Sequence, residues 1–270
     1  MGNNLLSTVR KNDKKGLFSA SQVSIGYPTG LATFDYLNGY IVESKDYDEN
    51  VVAEYPTLGI TGGTFITVVG KTGTAKTTWC IQTAYNIVKP FDDNAFVFHY
   101  DLEQAINYTR VANITGASRR DLENKYVIKQ GVSYIEDIFN MIYSIAKAKD
   151  DNKNELMYDP GICDEFGKPM KVYVPTVVII DSIPTLSSKN TSDEMEGSTH
   201  ANRVAKDIAQ FYKRLMPIIK QYNITVMAIN HINAKIEINP FAKTQAQVMY
   251  LKQDESVPGG NAPSETWALI

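Results

Sequence analysis

The chain has 270 residues, of which 43% are hydrophobic and 21% are charged, and this composition excludes a disordered or fibrous protein. Its formal net charge of -3 excludes a protein surface that is positively charged as a whole, so any contact with nucleic acid has to come from local basic segments. No apolar run approaches the ~20 residues of a membrane span, and the widely separated Cys80 and Cys163 favour reduced thiols in a cytoplasmic protein.

The chain begins with a polar, lysine-bearing arm, 1–24, which lacks the pattern of a signal peptide. Its basic residues precede an apolar pair, Leu17 and Phe18, so we expect the arm either to stay solvated or to dock on a neighbouring subunit. The leucine and phenylalanine spacing within 25–39 predicts a short helix. Residues 41–57 are acidic and predict an irregular surface insertion.

The segment 65–78, FITVVGKTGTAKTT, has the layout of a phosphate-binding loop: an apolar strand, a glycine-bearing loop and a helix N-terminus. Such a loop turns its N–H groups toward triphosphate oxygens, while Lys76 reaches the β- and γ-phosphates and Thr77 holds Mg²⁺. Ala75 replaces the usual glycine before the lysine, and a positive φ there would cost ~1 kcal/mol. An ordinary glycine-rich strand-to-helix turn is the alternative. The predicted nucleotide-binding residues of the segment are Gly70, Lys71, Thr72, Gly73, Thr74, Ala75, Lys76, Thr77 and Thr78.

Two further apolar runs end in carboxylates. The run 94–100 leads into Asp101 and Glu103, and the run that begins at Val177 closes on Asp181. Because α/β proteins bind ligands at the carboxyl ends of their strands, we predict that Glu103 orients the attacking water and that Asp181 binds Mg²⁺ through water. The alternative for Asp101 and Glu103 is a helix N-cap and a first-turn acid.

The remaining pattern alternates helices and strands, which predicts an α/β fold. A two-stranded insertion is expected at 149–172 and a mobile polar loop at 187–200. A long lysine- and aromatic-bearing loop at 232–261 follows His231, and a loop of that length is usually functional or disordered. The other predicted elements are helices at 76–88, 119–124, 133–147 and 201–221, and strands at 126–130, 224–230 and 266–270.

The ordered set of motifs resembles the core of the RecA-family recombinases, and within that family most closely the phage UvsX-type proteins. The set consists of PTGLATFDYLNG, GITGG, GKTGTAKTT, DLEQA, VVIIDS, and NH followed by a long loop that ends in GGNA. The resemblance covers roughly residues 25–270. It implies a RecA-like P-loop NTPase with a mostly parallel central sheet flanked by helices, and ATP and Mg²⁺ as cofactors.

Carried over to this chain, the resemblance implies catalytic roles for Lys76 and Glu103 and a Mg²⁺ site at Thr77 and Asp181. It also implies that Tyr108 contacts adenine, for which plain packing is the alternative, and that His231 senses the γ-phosphate. Histidine at that position and a residue other than glycine before the loop lysine both fit the phage group.

The resemblance further implies that 187–200 and 232–261 are the first and second DNA-binding loops. In the family the sheet continues beyond the second loop, with basic residues that reach a neighbour's ATP site. We therefore expect the C-terminal end of the core to be missing from this chain, which would then be either a truncated product or a domain that is completed elsewhere. The predicted DNA-binding residues are Lys235, Phe241, Lys243, Tyr250, Lys252, Gly259 and Gly260.

The expected function is therefore a DNA-dependent ATPase and recombinase that forms helical filaments on single-stranded DNA and pairs it with double-stranded DNA. A single-stranded DNA-binding protein and a loading mediator are further expected partners, with no membrane involved and a cytoplasmic location. Three alternatives remain: a hexameric RecA-fold helicase, a RecA-like signalling ATPase that does not act on DNA, and an ATP-binding scaffold if Ala75 impairs turnover.

Overall fold

The computed structural model describes residues 24–46, 48–131, 134–164, 167–189, 198–234, 255–256 and 267–269. The strands are β1 (Gly26–Tyr27), β2 (Tyr40–Lys45), β3 (Val51–Thr57), β4 (Ile60–Thr61), β5 (Phe65–Gly70), β6 (Phe96–Asp101), β7 (Tyr126–Gln130), β8 (Met157–Tyr158), β9 (Val172–Tyr173), β10 (Thr176–Asp181), β11 (Ile224–His231), β12 (Asn233–Ala234), β13 (Glu255–Ser256) and β14 (Trp267–Leu269). The helices are α1 (Ala32–Leu37), α2 (Lys76–Val88), α3 (Tyr108–Thr115), α4 (Arg119–Lys125), α5 (Ile135–Asp151), α6 (Lys153–Leu156) and α7 (Ser198–Gln221), and Ile183–Thr185 forms a 3-10 turn.

The centre of the fold is a six-stranded sheet in the order β14-β5-β11-β10-β6-β7. All neighbouring strands in it run parallel. Strands β5 and β10 are buried along their whole length, which explains their continuous apolar sequences, because both faces of a parallel sheet are covered by helices. The predicted α/β class, with a parallel central sheet flanked by helices, is confirmed.

Alternate residues of the sheet build two separate cores. In β10, Val177 and Ile179 belong to the core under α2, α3 and α4, whereas Val178 and Ile180 belong to the core under α5 and α7. The crossover from β5 through α2 to β6 passes over β11 and β10, so the loops that follow these four strands meet at one edge of the sheet. We call this the carboxyl edge, and the opposite one the amino edge.

The structure differs from the sequence expectations in three places. Residues 41–57 are not irregular: β2 and β3 pair as an antiparallel hairpin, whose strands alternate between exposed and more buried residues. Helix α3 was not predicted, because the polar sequence Tyr108–Thr115 contains only a short apolar stripe, of which Val111 is fully buried. Helix α5 extends to Asp151, into the segment expected to form an insertion.

The two insertions contact each other and the body of the domain. Strands β8 and β9 pair antiparallel, as expected for 149–172. The hydroxyl of Ser44 in the hairpin donates to the carbonyl of Asp164 at 2.6 Å. The hydroxyls of Tyr27 and Tyr158 lie 3.2 Å apart, which ties β8 to β1. Among the helices that the structure describes, none combines the length and the apolar character needed to cross a bilayer.

Candidate active site

The loop between β5 and α2 contains two residues in the left-handed region of backbone conformation. Gly73 has φ 81°, and Ala75 caps α2 in the left-handed region with φ 62°. Alanine is therefore strained at this position, as expected from the missing glycine. Gly70 is favoured for a different reason: a Cβ there would lie 2.7 Å from the hydroxyl oxygen of Thr74, so that side chain would have to move. That hydroxyl donates to the carbonyl of Lys71 at 2.8 Å and closes the loop on itself.

Lys76 is the first residue of α2 and is only 9% exposed. Its ammonium donates to the carbonyls of Gly70 at 3.0 Å and Lys71 at 2.9 Å. Burial lowers the pKa of Lys76, and the nearby carboxylates of Asp181 and Glu103 act in the opposite direction. The structure thus brings a buried cation to the N-terminal end of a helix, a position that favours anions.

Thr77 and Asp181 meet at the carboxyl edge. The Thr77 hydroxyl donates to Oδ2 of Asp181 at 2.7 Å, and Asp181 is 4% exposed as the last residue of β10. Burial raises the pKa of Asp181 to about 6, against the lowering effect of the Thr77 hydrogen bond. A hydroxyl and a carboxylate are the hard oxygen donors that suit Mg²⁺, which keeps several waters and substrate oxygens as its other ligands. The pair therefore fits the expected ion, although no group of three or more His, Cys, Asp or Glu side chains suited to a metal occurs among the residues described.

Asp101 shapes the turn that carries Glu103. Its buried carboxylate accepts hydrogen bonds from the N–H groups of Ala105 at 3.1 Å and Ile106 at 2.8 Å, and from Nε2 of Gln130 at 2.7 Å. The alternative of a helix N-cap at Asp101 is wrong, because the next helix, α3, begins at Tyr108. Asp101 is thus a structural residue, and the turn that it organises projects Glu103 over the end of β10.

Glu103 lies at the centre of the carboxyl edge. Its Oε1 accepts from the hydroxyl of Ser182 at 2.7 Å and lies 3.3 Å from Nε2 of His231. His231 ends β11 in register with Gly70, so it lies between the loop strand and Glu103. The side chains of Glu103 and His231 are 40% and 26% exposed, so solvent and a ligand can reach both.

Not every predicted residue lies in this cluster. Tyr108 begins α3 beside α2, with 46% of its surface exposed, and a role in stacking on adenine stays a prediction. Thr78 is half-buried in the first turn of α2 and Thr72 is exposed in the loop. The DNA-binding predictions lie outside the described residues, as do 1–23 of the arm: they are Lys235, Phe241, Lys243, Tyr250, Lys252, Gly259 and Gly260.

The expected first loop, 187–200, is partly described. Its start is tied to α5: the Ser188 hydroxyl donates to Glu136 at 3.0 Å, and the Lys189 ammonium pairs with Asp137 at 2.5 Å. Its end belongs to α7, which begins at Ser198. The expectation of a loop is therefore wrong for 198–200, which are helical, while 190–197 lies outside the described residues. That the loop is mobile stays a prediction. In the second loop, β12 and β13 pair antiparallel.

Sequence reasoning missed three residues of the site. Ser182 follows Asp181 directly, and its place at the end of a strand could have marked it. Gln130 ends β7, which is the edge strand beside β6. His99 lies within β6, where burial lowers its pKa to about 4. Nothing in the local sequence marks Gln130 or His99, because their partners lie on other strands.

No protein-family model matches the chain, and no curated protein matches it. The function therefore has to be argued from the geometry of the carboxyl edge, together with the resemblance of the motifs that build it.

Proposed function

We propose that the protein is a RecA-like P-loop NTPase that hydrolyses ATP with Mg²⁺ and couples hydrolysis to homologous pairing of DNA. The observation that carries the proposal is the convergence of four adjacent strand ends. Lys76 follows β5, His231 ends β11, Asp181 ends β10 and Glu103 follows β6. A phosphate-binding lysine, a pair of oxygens suited to Mg²⁺ and a carboxylate open to water are the groups that phosphoryl transfer to water requires.

Phosphate binding would use the loop and its lysine. The Lys76 ammonium now donates to two carbonyls of its own loop, at 3.0 and 2.9 Å. Triphosphate oxygens carry full charges and form stronger hydrogen bonds than carbonyls. Lys76 would exchange these carbonyls for the phosphates, and the free N–H groups at the start of α2 would donate to them as well.

Thr77 and Asp181 would hold Mg²⁺, which, when bound, neutralises charge that develops on the phosphate oxygens. Asp181 would take part in its ionised form. Since burial raises the pKa of Asp181 to about 6, a nearby cation stabilises the ionised carboxylate and relieves its desolvation.

Glu103 would accept a proton from the attacking water and orient it. The Ser182 hydroxyl, at 2.7 Å, and the His231 ring, at 3.3 Å, both lie beside the same oxygen, Oε1. Oε2 is therefore the oxygen left to face the water. Because the Ser182 bond fixes the rotation of the carboxylate, Ser182 serves as a positioning residue for Glu103.

The DNA part of the proposal rests on the RecA resemblance and on the position of His231. His231 lies in register with Gly70 and immediately precedes the second loop, 232–261. A shift of the His231 ring toward a γ-phosphate would break its contact with Glu103 and move the root of that loop. Lysines and aromatic side chains suit single-stranded DNA, because the lysines neutralise phosphates and the aromatic rings stack on bases.

Electron microscopy with single-stranded DNA and a non-hydrolysable ATP analogue, paired with an ATPase assay, tests the proposal. We expect helical filaments and ATP turnover that single-stranded DNA stimulates. Closed rings would indicate a helicase, and turnover indifferent to DNA would indicate a signalling ATPase. Nucleotide binding without turnover would indicate a scaffold, and no nucleotide binding at all would contradict the proposal.

A further inference from the structure

Behind Asp181 lies a histidine that the proposed chemistry does not use. His99, in the middle of β6, is 0% exposed. Its Nδ1 lies 2.9 Å from the hydroxyl of Tyr126, and its Nε2 lies 4.0 Å from Oδ2 of Asp181. Among the described atoms, Nε2 has no hydrogen-bond partner. Buried polar atoms nearly always have a partner, so a ring nitrogen aimed at a site carboxylate without one needs an explanation.

The register of the sheet places His99 next to Asp181. His99 pairs with Ile179 of β10, two residues before Asp181, so the two side chains point to the same face and are diagonal neighbours. That face is covered by α2, which supplies Thr77. The Asp181 carboxylate is therefore enclosed between a hydroxyl from α2 and an imidazole from β6.

The partners of the ring decide which nitrogen carries the proton. A neutral imidazole has one N–H donor and one acceptor. If the Tyr126 hydroxyl donates to Nδ1, the proton is on Nε2 and points toward the carboxylate. In the opposite tautomer, a lone pair of Nε2 would face an oxygen of Asp181 in a buried setting, which is repulsive. The first tautomer is therefore favoured.

We propose that His99, held in its Nε2–H tautomer by Tyr126, is a positioning residue for Asp181. This role rests on the proposed function, because it serves the carboxylate that would hold Mg²⁺. At 4.0 Å the contact is longer than a hydrogen bond, and an approach of ~1 Å would complete one. With that hydrogen bond formed, His99 and Thr77 would hold the same oxygen, Oδ2 of Asp181, and His99 would restrict the rotation of the carboxylate. Groups that orient a metal ligand in this way typically change metal affinity by ~10- to 100-fold when they are removed.

The tautomer can be measured without any ligand. In a protein labelled with ¹⁵N-histidine, long-range proton–nitrogen correlation spectra distinguish protonated from unprotonated ring nitrogens. His200 and His231 are the other histidines, and single His200→Gln and His231→Gln variants assign the His99 signals by elimination. We expect a proton on Nε2 and none on Nδ1. A proton on Nδ1 would overturn the proposal whether or not the protein binds nucleotide.

The positioning role is tested by a matched pair of substitutions. Glutamine can place an amide N–H near the position of Nε2, whereas leucine fills the space without a donor. We expect His99→Leu to raise the Mg²⁺ concentration that half-saturates binding of a non-hydrolysable ATP analogue by ~10-fold or more. His99→Gln should stay within ~3-fold of wild type, and nucleotide affinity without metal should be equal in all three proteins. Tyr27→Phe, which removes a buried hydroxyl at the amino edge, serves as the control and should not change the Mg²⁺ dependence.

Each result has a separate meaning. Equal Mg²⁺ dependence for His99→Leu and wild type would overturn the positioning role alone. An equal loss in the leucine and glutamine variants would also overturn it, since it would show packing rather than donation. If either variant does not fold, the tautomer of His99 is measured in Tyr126→Phe instead. A His99 ring that carries its proton only on Nε2 in that variant would contradict the role given to Tyr126. A wild-type protein that binds no nucleotide would instead contradict the proposed function.

Discussion

The two edges of the central sheet both bury polar groups, but they satisfy them in different ways. At the amino edge, the Asn223 amide donates to the Tyr27 hydroxyl and to the Tyr173 carbonyl, both at 2.7 Å. The buried Lys149 donates to the carbonyls of Val174 and Tyr222, at 2.7 and 2.9 Å. Each group there meets neutral partners, mostly fixed backbone.

At the carboxyl edge, the acidic groups have side-chain hydroxyls and a histidine as partners, and the lysine has the carbonyls of its own loop. Asp181 accepts from Thr77, Glu103 accepts from Ser182 beside His231, and Lys76 turns back onto its own loop. The pKa of Asp181 is raised by burial, which means that its charge is poorly compensated in the protein alone. Burial likewise lowers the pKa of Lys149 to about 7, so a poorly compensated charge does not by itself separate the two edges. What separates them is access: the side chains of Glu103 and His231 at the carboxyl edge are 40% and 26% exposed, and under the proposed function these are the groups that would meet a charged ligand.

The largest expected effect is on turnover at the carboxyl edge. Glu103→Gln should keep ATP binding and lose turnover by ~10²-fold or more, because a positioned general base acts mainly in the transition state. Steady-state ATPase rates beside nucleotide titrations measure this. Glu123→Gln, at a side chain on α4 that is 65% exposed, is the control. Normal turnover in Glu103→Gln would show that another group is the base.

The next effect is on stability at the amino edge. Asn223→Ala removes two buried hydrogen bonds and places alanine at φ 50°, so we expect a loss of ~3 kcal/mol in the free energy of unfolding. Asn223→Gly, which tolerates this φ, should lose ~1 kcal/mol less. Urea unfolding measures both values. Both Asn223 variants should bind nucleotide with the affinity of wild type. A changed affinity would contradict the claim that the amino edge does not contribute to the nucleotide site.

Asp181→Asn should stabilise the ligand-free protein. A raised carboxyl pKa means that the stability linked to this group is fully present below pH 3.8 and is lost as the pH rises through about 6. At pH 8 the variant should therefore be more stable than wild type by ~3 kcal/mol, and the difference should shrink toward zero near pH 4. Denaturant unfolding across this pH range measures it. A variant that is less stable than wild type at pH 8 would contradict the assigned cost of burying the Asp181 charge.

The smallest effect concerns the loop backbone. Ala75→Gly should raise stability by ~0.5 kcal/mol, because relief of the left-handed strain exceeds the entropy that glycine adds to the unfolded chain. Gly73→Ala introduces the same strain at φ 81° with no atom within 4 Å of the added Cβ, and it should lower stability by ~1 kcal/mol. Thermal unfolding compares the two, and shifts of the same sign would contradict the account.

The sequence predicted the parts of the fold that local pattern determines. The apolar runs of β5, β6, β10 and β11 and the N-terminus of α2 are readable, because burial on both faces leaves an unbroken hydrophobic sequence. The polar residues that follow these unbroken apolar runs are therefore easy to recognise. Four of them belong to the candidate site: Lys76, Thr77, Glu103 and Asp181. The β2–β3 hairpin was missed because its many acidic residues obscure the weak alternation of polar and apolar residues that is typical of strands.

The rest of the site depends on contacts between distant strands. Gln130 meets Asp101 across 29 residues, and His99 meets Tyr126 across 27. Ser182 meets Glu103 across 79. Only the strand order creates these pairs, and one sequence contains no local signal for them. Sequence patterns therefore located most residues of the candidate site, and the packed sheet shows which distant residues contact them.

The most direct test of the account is a calorimetric titration of a non-hydrolysable ATP analogue into wild type and Lys76→Ala, with and without Mg²⁺. We expect wild type to bind the analogue, Mg²⁺ to strengthen binding, and Lys76→Ala to weaken it by ~10²-fold, since charge-assisted hydrogen bonds contribute ~1.5–3 kcal/mol each. Equal affinity in the two proteins, or binding that ignores Mg²⁺, would contradict the claim that the carboxyl edge is a nucleotide site.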